Sequence, residues 1–289
     1  MKKTQLWILF FLLPFSVKAQ YPSLLWEITG NNLSKPSYLF GTMHVNDKRV
    51  FNFSDSLLLA FDSSKAFAGE LLLDQKNING QELASIILMP KDTTLKMLIG
   101  KKNYRKVKKK AKNSLGVFAM FINRIKPIYT YFVLTEGKQE KKDNSPVLDS
   151  WLQTKAKEEG KNVIGIETPM EQIKALDKIS LKEQANLLLE SINNEDVSDK
   201  ALEDEMLDLY ISGNLDAVYS FFRRFQMPDG FTRSVVINRN HVMAERIMKI
   251  IQEQPTFIAV GAAHLPGEEG VIELLRTQGY QLRPVQCRK

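Results

Sequence analysis

Two histidines occupy the same four-residue pattern, Gly-x-x-His, near opposite ends of the chain. The two copies are Gly41-Thr42-Met43-His44 and Gly261-Ala262-Ala263-His264. Each follows a short apolar run typical of a buried strand, and each precedes a helix-like stretch and then another strand-like run. The chain contains three histidines in all. Two of them in matched settings indicate two strand ends that deliver imidazoles to one shared site; the alternative for either copy alone is a hydrogen-bonded structural histidine.

Carboxylates at comparable positions could complete a metal site. A catalytic zinc normally takes three protein ligands, imidazoles and often a carboxylate, and keeps a position open for water. Glu70 follows Gly69 within the apolar run 65–73, where an unpaired carboxylate would be costly to bury. It could bind the metal or activate water, with a lysine salt bridge or an exposed strand face as the alternatives. Glu167, at the end of the strand-like run 162–166, could bind metal, act as a general base or support the turn.

A third cluster of polar residues, Arg239-Asn240-His241, lies in a predicted helix over 234–252. Arginine could stabilise negative charge that develops on an oxyanion, and asparagine could orient substrate or water. His241 lacks the strand-end setting, so we expect a structural or surface histidine. The sequence has no Gly-x-Ser-x-Gly elbow, no His-Glu-x-x-His pattern and no phosphate-binding loop. Cys287 is poorly placed for a nucleophile.

The first nineteen residues have the features of a secretory signal: a basic start, an apolar stretch of about a dozen residues and a small-residue cleavage site. We therefore expect residues 20–289 to be exported to the periplasm or beyond the cell, with no transmembrane helix. An uncleaved N-terminal anchor is the alternative. With Cys287 as its single cysteine, the chain can form no internal disulfide, so packing or bound metal must stabilise it.

Positive charge is concentrated in one segment. The net charge of +7 falls to about +4 without the three lysines of the predicted signal, and residues 101–112 alone contain eight lysines and arginines. No nucleic-acid-binding motif accompanies them, so nucleic acid is not an expected partner. A solvated helix face is the favoured interpretation, and attraction to an anionic membrane surface is the alternative.

The remaining patterns predict an α/β (α+β) fold in one domain over 20–289, layered around a central sheet. The sheet is built from two strand–GxxH–helix–strand units, with helices on its faces and a helical insertion or lid in the middle. Residues from about 75 to 145 and from 168 to 255 are expected to be largely helical, with a polar loop at 136–145. Strands are predicted at 24–28, 38–40, 65–73, 162–166, 257–260 and 280–285. Thr168-Pro169-Met170-Glu171 is a capping box with proline at the first helical position, which predicts a helix start there.

Several short patterns also occur together in a known family. They are Leu25-Trp26-Glu27-Ile28, the run from Tyr38 to His44, Gly69-Glu70-Leu71, Leu148-Asp149, Gly165-Ile166-Glu167-Thr168 with Gln172, Arg239-Asn240, and 259–267 with Gly270-Val271. In order and spacing they resemble the TraB/GumN family, which is related to the Tiki proteins that cleave secreted signalling proteins. The chain departs from the family at Leu148, where glycine often precedes the aspartate, which we interpret as a minor structural difference.

The resemblance implies a metal-dependent hydrolytic site with His44, His264 and Glu70 at its core, in a fold similar to the erythromycin-esterase and ChaN proteins. Tiki-like members are described as metalloproteases that use manganese or cobalt. The leading hypothesis is therefore an exported metallopeptidase that holds manganese, cobalt or zinc and cleaves a peptide or protein substrate. The alternative is a haem- or metal-binding envelope protein of ChaN-like type without hydrolytic activity. A scaffold that keeps the fold without turnover is a third hypothesis.

Overall fold

The computed structural model describes residues 22–73, 79–136, 145–193, 199–225 and 227–288. The predicted signal at 1–19 and most of the predicted loop at 136–145 lie outside these residues. The described chain is a mixed α/β structure with a six-stranded sheet flanked by helices. The strands are β1 (Leu25–Gly30), β2 (Ser37–Thr42), β3 (Ala66–Gly69), β4 (Asn162–Gly165), β5 (Thr256–Gly261) and β6 (Tyr280–Val285). The predicted α/β class is confirmed.

The helices lie mostly between β3 and β5. They are α1 (Asp55–Ser63), α2 (Gly80–Ile87), α3 (Leu95–Leu115), α4 (Pro127–Glu136), α5 (Leu148–Glu158), α6 (Pro169–Asp177), α7 (Leu181–Asn193), α8 (Asp199–Ile211), α9 (Leu215–Arg224), α10 (Asp229–Phe231), α11 (Asn238–Glu253) and α12 (Val271–Thr277). None of the helices in the described ranges combines the length and apolar character needed to cross a membrane.

The sheet order is β4-β3-β5-β2-β1-β6. Four neighbouring strands, β4, β3, β5 and β2, are parallel, whereas β1 is antiparallel to β2 and β6. The carboxyl ends of β2, β3, β4 and β5 therefore meet at one edge, where open α/β sheets place their ligand sites. The residues that follow these four strands include both Gly-x-x-His motifs, Glu70 and Glu167.

The two largest hydrophobic clusters of the described residues hold this arrangement. The main one surrounds the sheet and includes the fully buried Trp26, Phe40 and Phe257. A second cluster lies among α3, α4 and α7, with Val107 and Leu188 at its centre. Much of the helical segment between β3 and β4 thus buries its apolar surface against α7, in a cluster separate from the one around the sheet.

Two of the element boundaries that differ from the prediction bear on the site. The strand expected over 65–73 ends at Gly69, so Glu70 follows the strand rather than lying within it. At Leu71 and Leu73 the backbone pairs with the side chain of Gln153 instead of with a neighbouring strand. The Gln153 amide donates to the carbonyl of Leu71 and accepts from the N–H of Leu73, both at 2.9 Å. The helix expected from residue 234 begins as a π-helical segment, Thr232–Ile237, and becomes α-helical at Asn238.

The predicted capping box at the start of α6 is confirmed. Thr168 accepts from the backbone N–H of Glu171 at 3.2 Å, and the Glu171 carboxylate accepts from the N–H of Thr168 at 2.8 Å. Arg246 also donates to this carboxylate at 2.6 Å. Arg246 is the main cause, with Thr168 adding to it, of a Glu171 pKa lowered to about 2.

We expect Glu171→Gln to lower the free energy of unfolding at neutral pH by about 0.2 to 1 kcal/mol, the range for solvent-exposed ion pairs. Because the folded pKa lies below the unfolded value of about 4.3, this stabilisation is complete above about pH 5 and is lost as the pH falls towards 2. Urea unfolding of both proteins from pH 7 to pH 3 measures it. A difference that is constant over this range would show that lost cap geometry, rather than charge, causes the effect.

Candidate metal centre

The two Gly-x-x-His motifs contact each other at the edge of the sheet. β2 and β5 are adjacent and parallel, with Thr42 opposite Gly261. A side chain at Gly41 would place its Cβ 3.1 Å from the Cα of Ala262, closer than carbon atoms normally approach, so glycine permits the contact. The hydroxyl of the buried Tyr210 donates to the carbonyl of Gly41 at 2.9 Å. The first motif is thereby fixed from the helical side as well as from the sheet.

His264 is held in a defined orientation. Its side chain is 9% exposed, and its Nδ1 lies 2.6 Å from Oδ1 of Asn240. The amide nitrogen of Asn240 donates to the carbonyl of Glu269 at 2.7 Å, so the amide oxygen faces the ring and accepts from Nδ1–H. The lone pair of the neutral ring is then on Nε2, which lies 4.0 Å from Oε1 of Glu70. Fixing one ring nitrogen so that the other is available is how proteins orient histidine ligands.

The electrostatic surroundings keep His264 neutral. Burial is the largest cause of its lowered pKa, and Arg239 and His44 act in the same direction, against the carboxylates of Glu70 and Glu167. Neutral imidazole is the form that binds a metal.

Glu70 is largely buried, with its side chain 13% exposed, and it is ionised. Its Oε1 accepts from the N–H of Gly261 at 2.6 Å, and its Oε2 accepts from Nη2 of Arg239 at 2.9 Å. Burial acts to raise its pKa, but His264, Arg239, the Gly261 N–H and His44 together outweigh it, so the pKa is lowered. Since His264 is neutral near pH 7, Arg239 and the Gly261 N–H are what hold the carboxylate ionised there.

Arg239 joins Glu70 to Glu167. Its Nε donates to both carboxylate oxygens of Glu167 at 3.1 Å, and its Nη2 donates to Oε2 at 2.7 Å. The side chains of Arg239 and Glu167 are 13% and 3% exposed. Gln172 donates to both Glu70 and Glu167 at 3.2 Å. One guanidinium and one amide therefore hold two buried carboxylates side by side.

His44 lies at the exposed side of the site. Its side chain is 64% exposed, and its Nδ1 is 3.4 Å from Oδ2 of Asp149. Thr42 donates to the other carboxylate oxygen of Asp149 at 2.6 Å. Oδ2 is buried and has no hydrogen-bond partner in the described part of the chain. Burial raises the pKa of Asp149, against the lowering effects of His44 and Thr42. A buried carboxylate oxygen without a donor is a place where a cation would be favourable.

The donor atoms at this edge fit a divalent transition metal. Imidazole nitrogen and carboxylate oxygen together suit zinc, manganese or cobalt. Gly261 keeps space between two of the donors, since a Cβ there would lie 3.1 Å from Oε1 of Glu70 and 3.6 Å from Cδ2 of His264. Over the described ranges, no three His, Cys, Asp or Glu side chains form a ready metal cluster. Arg239 and the N–H of Gly261 engage Glu70, while Nδ1 of His44 faces Asp149.

Comparison with known proteins assigns the family. The profile of the TraB/PrgY/gumN family matches residues 24–284. The chain belongs to this family. Among curated relatives of this TraB/PrgY/gumN protein are Metalloprotease TIKI2 of Danio rerio, 26% identical over 90% of this chain and 60% of the relative, and Metalloprotease TIKI1 of Homo sapiens, 23% identical over 92% and 62%. The chain thus spans about 60% of the length of such relatives. No solved structure matches significantly.

In this TraB/PrgY/gumN chain, hydrogen bonds and ion pairs link five predicted site residues, which are Glu70, Glu167, Arg239, Asn240 and His264. His44 lies beside them, paired with Asp149. His241 is 53% exposed, which confirms it as a surface histidine. The residue types alone did not single out Asp149. The available signal was an acidic residue directly after Leu148 at a helix start, within the family pattern.

Proposed function

We propose that this protein is a metal-dependent hydrolase that cleaves peptide bonds, with a divalent ion held by His44, His264 and Glu70. The observation that carries the proposal is the fixed orientation of His264, whose Nδ1 is taken by Asn240 while Nε2 faces the ionised Glu70. Relatives named metalloproteases, at 22–26% identity, support the reaction class. We further propose export through residues 1–19, to the periplasm or the outside of the cell.

When bound, a divalent ion supplies Lewis acidity that polarises a carbonyl and lowers the pKa of water to ~7. The protein's own residues position the reaction. Asn240 keeps His264 in the tautomer with Nε2 unprotonated, and the Asp149 carboxylate lies 3.4 Å from Nδ1 of His44. Glu70 presents an ionised carboxylate to the ion or to the attacking water. In this scheme Glu70 can act as the general base, and no second base is required. Glu167 lies close to Glu70, because the side-chain amide of Gln172 donates to both carboxylates.

Arg239 is proposed to stabilise charge on the substrate. Its guanidinium is held by Glu167 and reaches Glu70, so a fixed cation lies beside the position where a substrate oxygen gains negative charge. Such a preorganised charge in a buried site needs no reorganisation during the reaction. Glu167 then acts as the positioning partner of Arg239.

Metal analysis combined with peptide cleavage tests the proposal. The purified chain, exposed separately to manganese, cobalt and zinc, should retain about one ion per molecule with at least one of them. It should cleave a mixed peptide pool, and a chelator should remove activity that added metal restores. His241→Ala is the matched control and should behave like the wild type. Absence of any retained metal would reject the proposal, and tight stoichiometric haemin binding without cleavage would favour the ChaN-like alternative.

A further inference from the structure

One face of α3 carries a dense positive charge. Of the eight lysines and arginines between Lys101 and Lys112, all except Lys110 are exposed. At 3.6 residues per turn, these seven lie within about 160° of the helix circumference. Val107 and Ala111 lie on the opposite face and are buried in the second core. In the described ranges, none of the seven has a carboxylate within 4.0 Å, so their charge is directed to solvent.

Large apolar side chains are exposed directly after this face. Gly116 has a φ of +56°, and the chain turns there into a short 3-10 helix, Gly116–Met120, that packs against α3. Ala119 is buried in the same core as Val107. Around it, Val117 is 79% exposed, Met120 65% and Phe121 57%. We call the exposed face of 101–112 together with these three side chains the basic–apolar surface.

We propose that the basic–apolar surface docks this protein on an anionic lipid bilayer. Lysines and arginines near such a bilayer each strengthen binding about fivefold. Exposed apolar side chains beside them can enter the boundary between headgroups and acyl chains, as amphipathic membrane-surface helices do. The proposal is independent of the metal site and would hold for an inactive protein.

The composition of the surface favours a bilayer over a macromolecular partner. The centre of a standard protein interface is depleted in charged residues, lysine among them, whereas seven exposed lysines and arginines make up this helix face. A bilayer can accept such a face, because each charge acts separately on the anionic surface. On a nucleic acid, Val117 and Met120 would remain in water, since aliphatic side chains offer no stacking plane for bases.

Vesicle binding of the full chain tests the proposal. We expect the wild type to bind vesicles of phosphatidylglycerol and phosphatidylcholine at least ~100-fold more tightly than vesicles of phosphatidylcholine alone, with the preference lost at high salt. Changing four central residues to glutamine should lower binding to the anionic vesicles at least ~100-fold. These are Lys102, Arg105, Lys106 and Lys109. Serine at Val117, Met120 and Phe121 should lower it about tenfold without changing the salt dependence. Residues 1–19 combine three lysines with an apolar stretch and are present in every variant, so the readout is the change in this preference between each variant and the wild type.

A charge-matched control removes four exposed lysines elsewhere, at Lys35, Lys91, Lys178 and Lys249. This variant should keep at least a third of the wild-type preference. Equal losses in both quadruple variants would overturn the proposal, because net charge alone would then explain binding. It would also be overturned if the serine variant bound as the wild type does, or if single-stranded RNA bound more tightly than the anionic vesicles. Circular dichroism checks that each variant is folded.

Discussion

Replacing His264 or His44 by alanine is expected to lower bound divalent metal at least tenfold and to reduce peptide cleavage to background. Each change removes one of the three proposed protein ligands, and a catalytic metal depends on about three of them. The two variants should differ in stability. His264 is buried and hydrogen-bonded to Asn240, whereas His44 is 64% exposed, so only His264→Ala should measurably lower the free energy of unfolding. Metal content by mass spectrometry, cleavage rates and urea unfolding measure these effects.

Asn240 provides a graded control for the same site. It does not belong to the proposed ligands, but it fixes the tautomer of His264. Asn240→Ala should therefore weaken metal binding about 10- to 100-fold, the usual effect of losing a residue that orients a ligand. Saturating metal should restore much of the cleavage rate in Asn240→Ala and none in His264→Ala. Full metal occupancy and activity in both histidine variants would contradict the assignment of the site.

The sequence predicts where the candidate site residues lie better than it predicts the strand order and the hydrogen-bond partners that position them. Each Gly-x-x-His follows an apolar run, and parallel strands bring their carboxyl ends to one edge, so a shared histidine site could be expected from pattern alone. The order of the strands in the sheet could not be expected from the pattern. β5 is inserted between β2 and β3, and the alternation of a strand shows which faces are buried without showing which strand lies next to it.

The partners of the carboxylates also escape sequence reasoning. Glu70 was predicted to need a partner because it is surrounded by apolar residues, and this is confirmed. The partner, Arg239, lies 169 positions away, on a helix whose docking depends on the whole tertiary structure. Thr42 and Asp149 are 107 positions apart, and neither residue type by itself indicates the contact. Local sequence patterns indicate which buried carboxylates need a partner, and tertiary packing determines which residue provides it.

Arg239→Met is expected to lower the free energy of unfolding of the metal-free protein by about 3 to 5 kcal/mol. The guanidinium is the cation that neutralises two buried carboxylates, with Glu70 and Glu167 side chains only 13% and 3% exposed. Removing one member of a buried ion pair leaves uncompensated charge, which costs far more than the pair itself contributes. Methionine keeps most of the side-chain volume, so the loss reports charge rather than a cavity. Urea unfolding in the presence of a chelator measures it.

Two comparisons decide whether this loss arises from the paired carboxylates. Arg246→Met removes an arginine that pairs with Glu171 at a position 37% exposed, and it should cost about 1 kcal/mol. Adding Glu167→Gln to Arg239→Met should recover at least 1 kcal/mol, because one unpaired charge is removed with it, and the double-mutant cycle gives the coupling energy. Divalent metal should also recover part of the loss if Glu70 binds it, since binding to the folded state alone stabilises that state. Equal costs for the two arginine variants, with no recovery on adding Glu167→Gln, would show that the buried charges are compensated by groups other than Arg239.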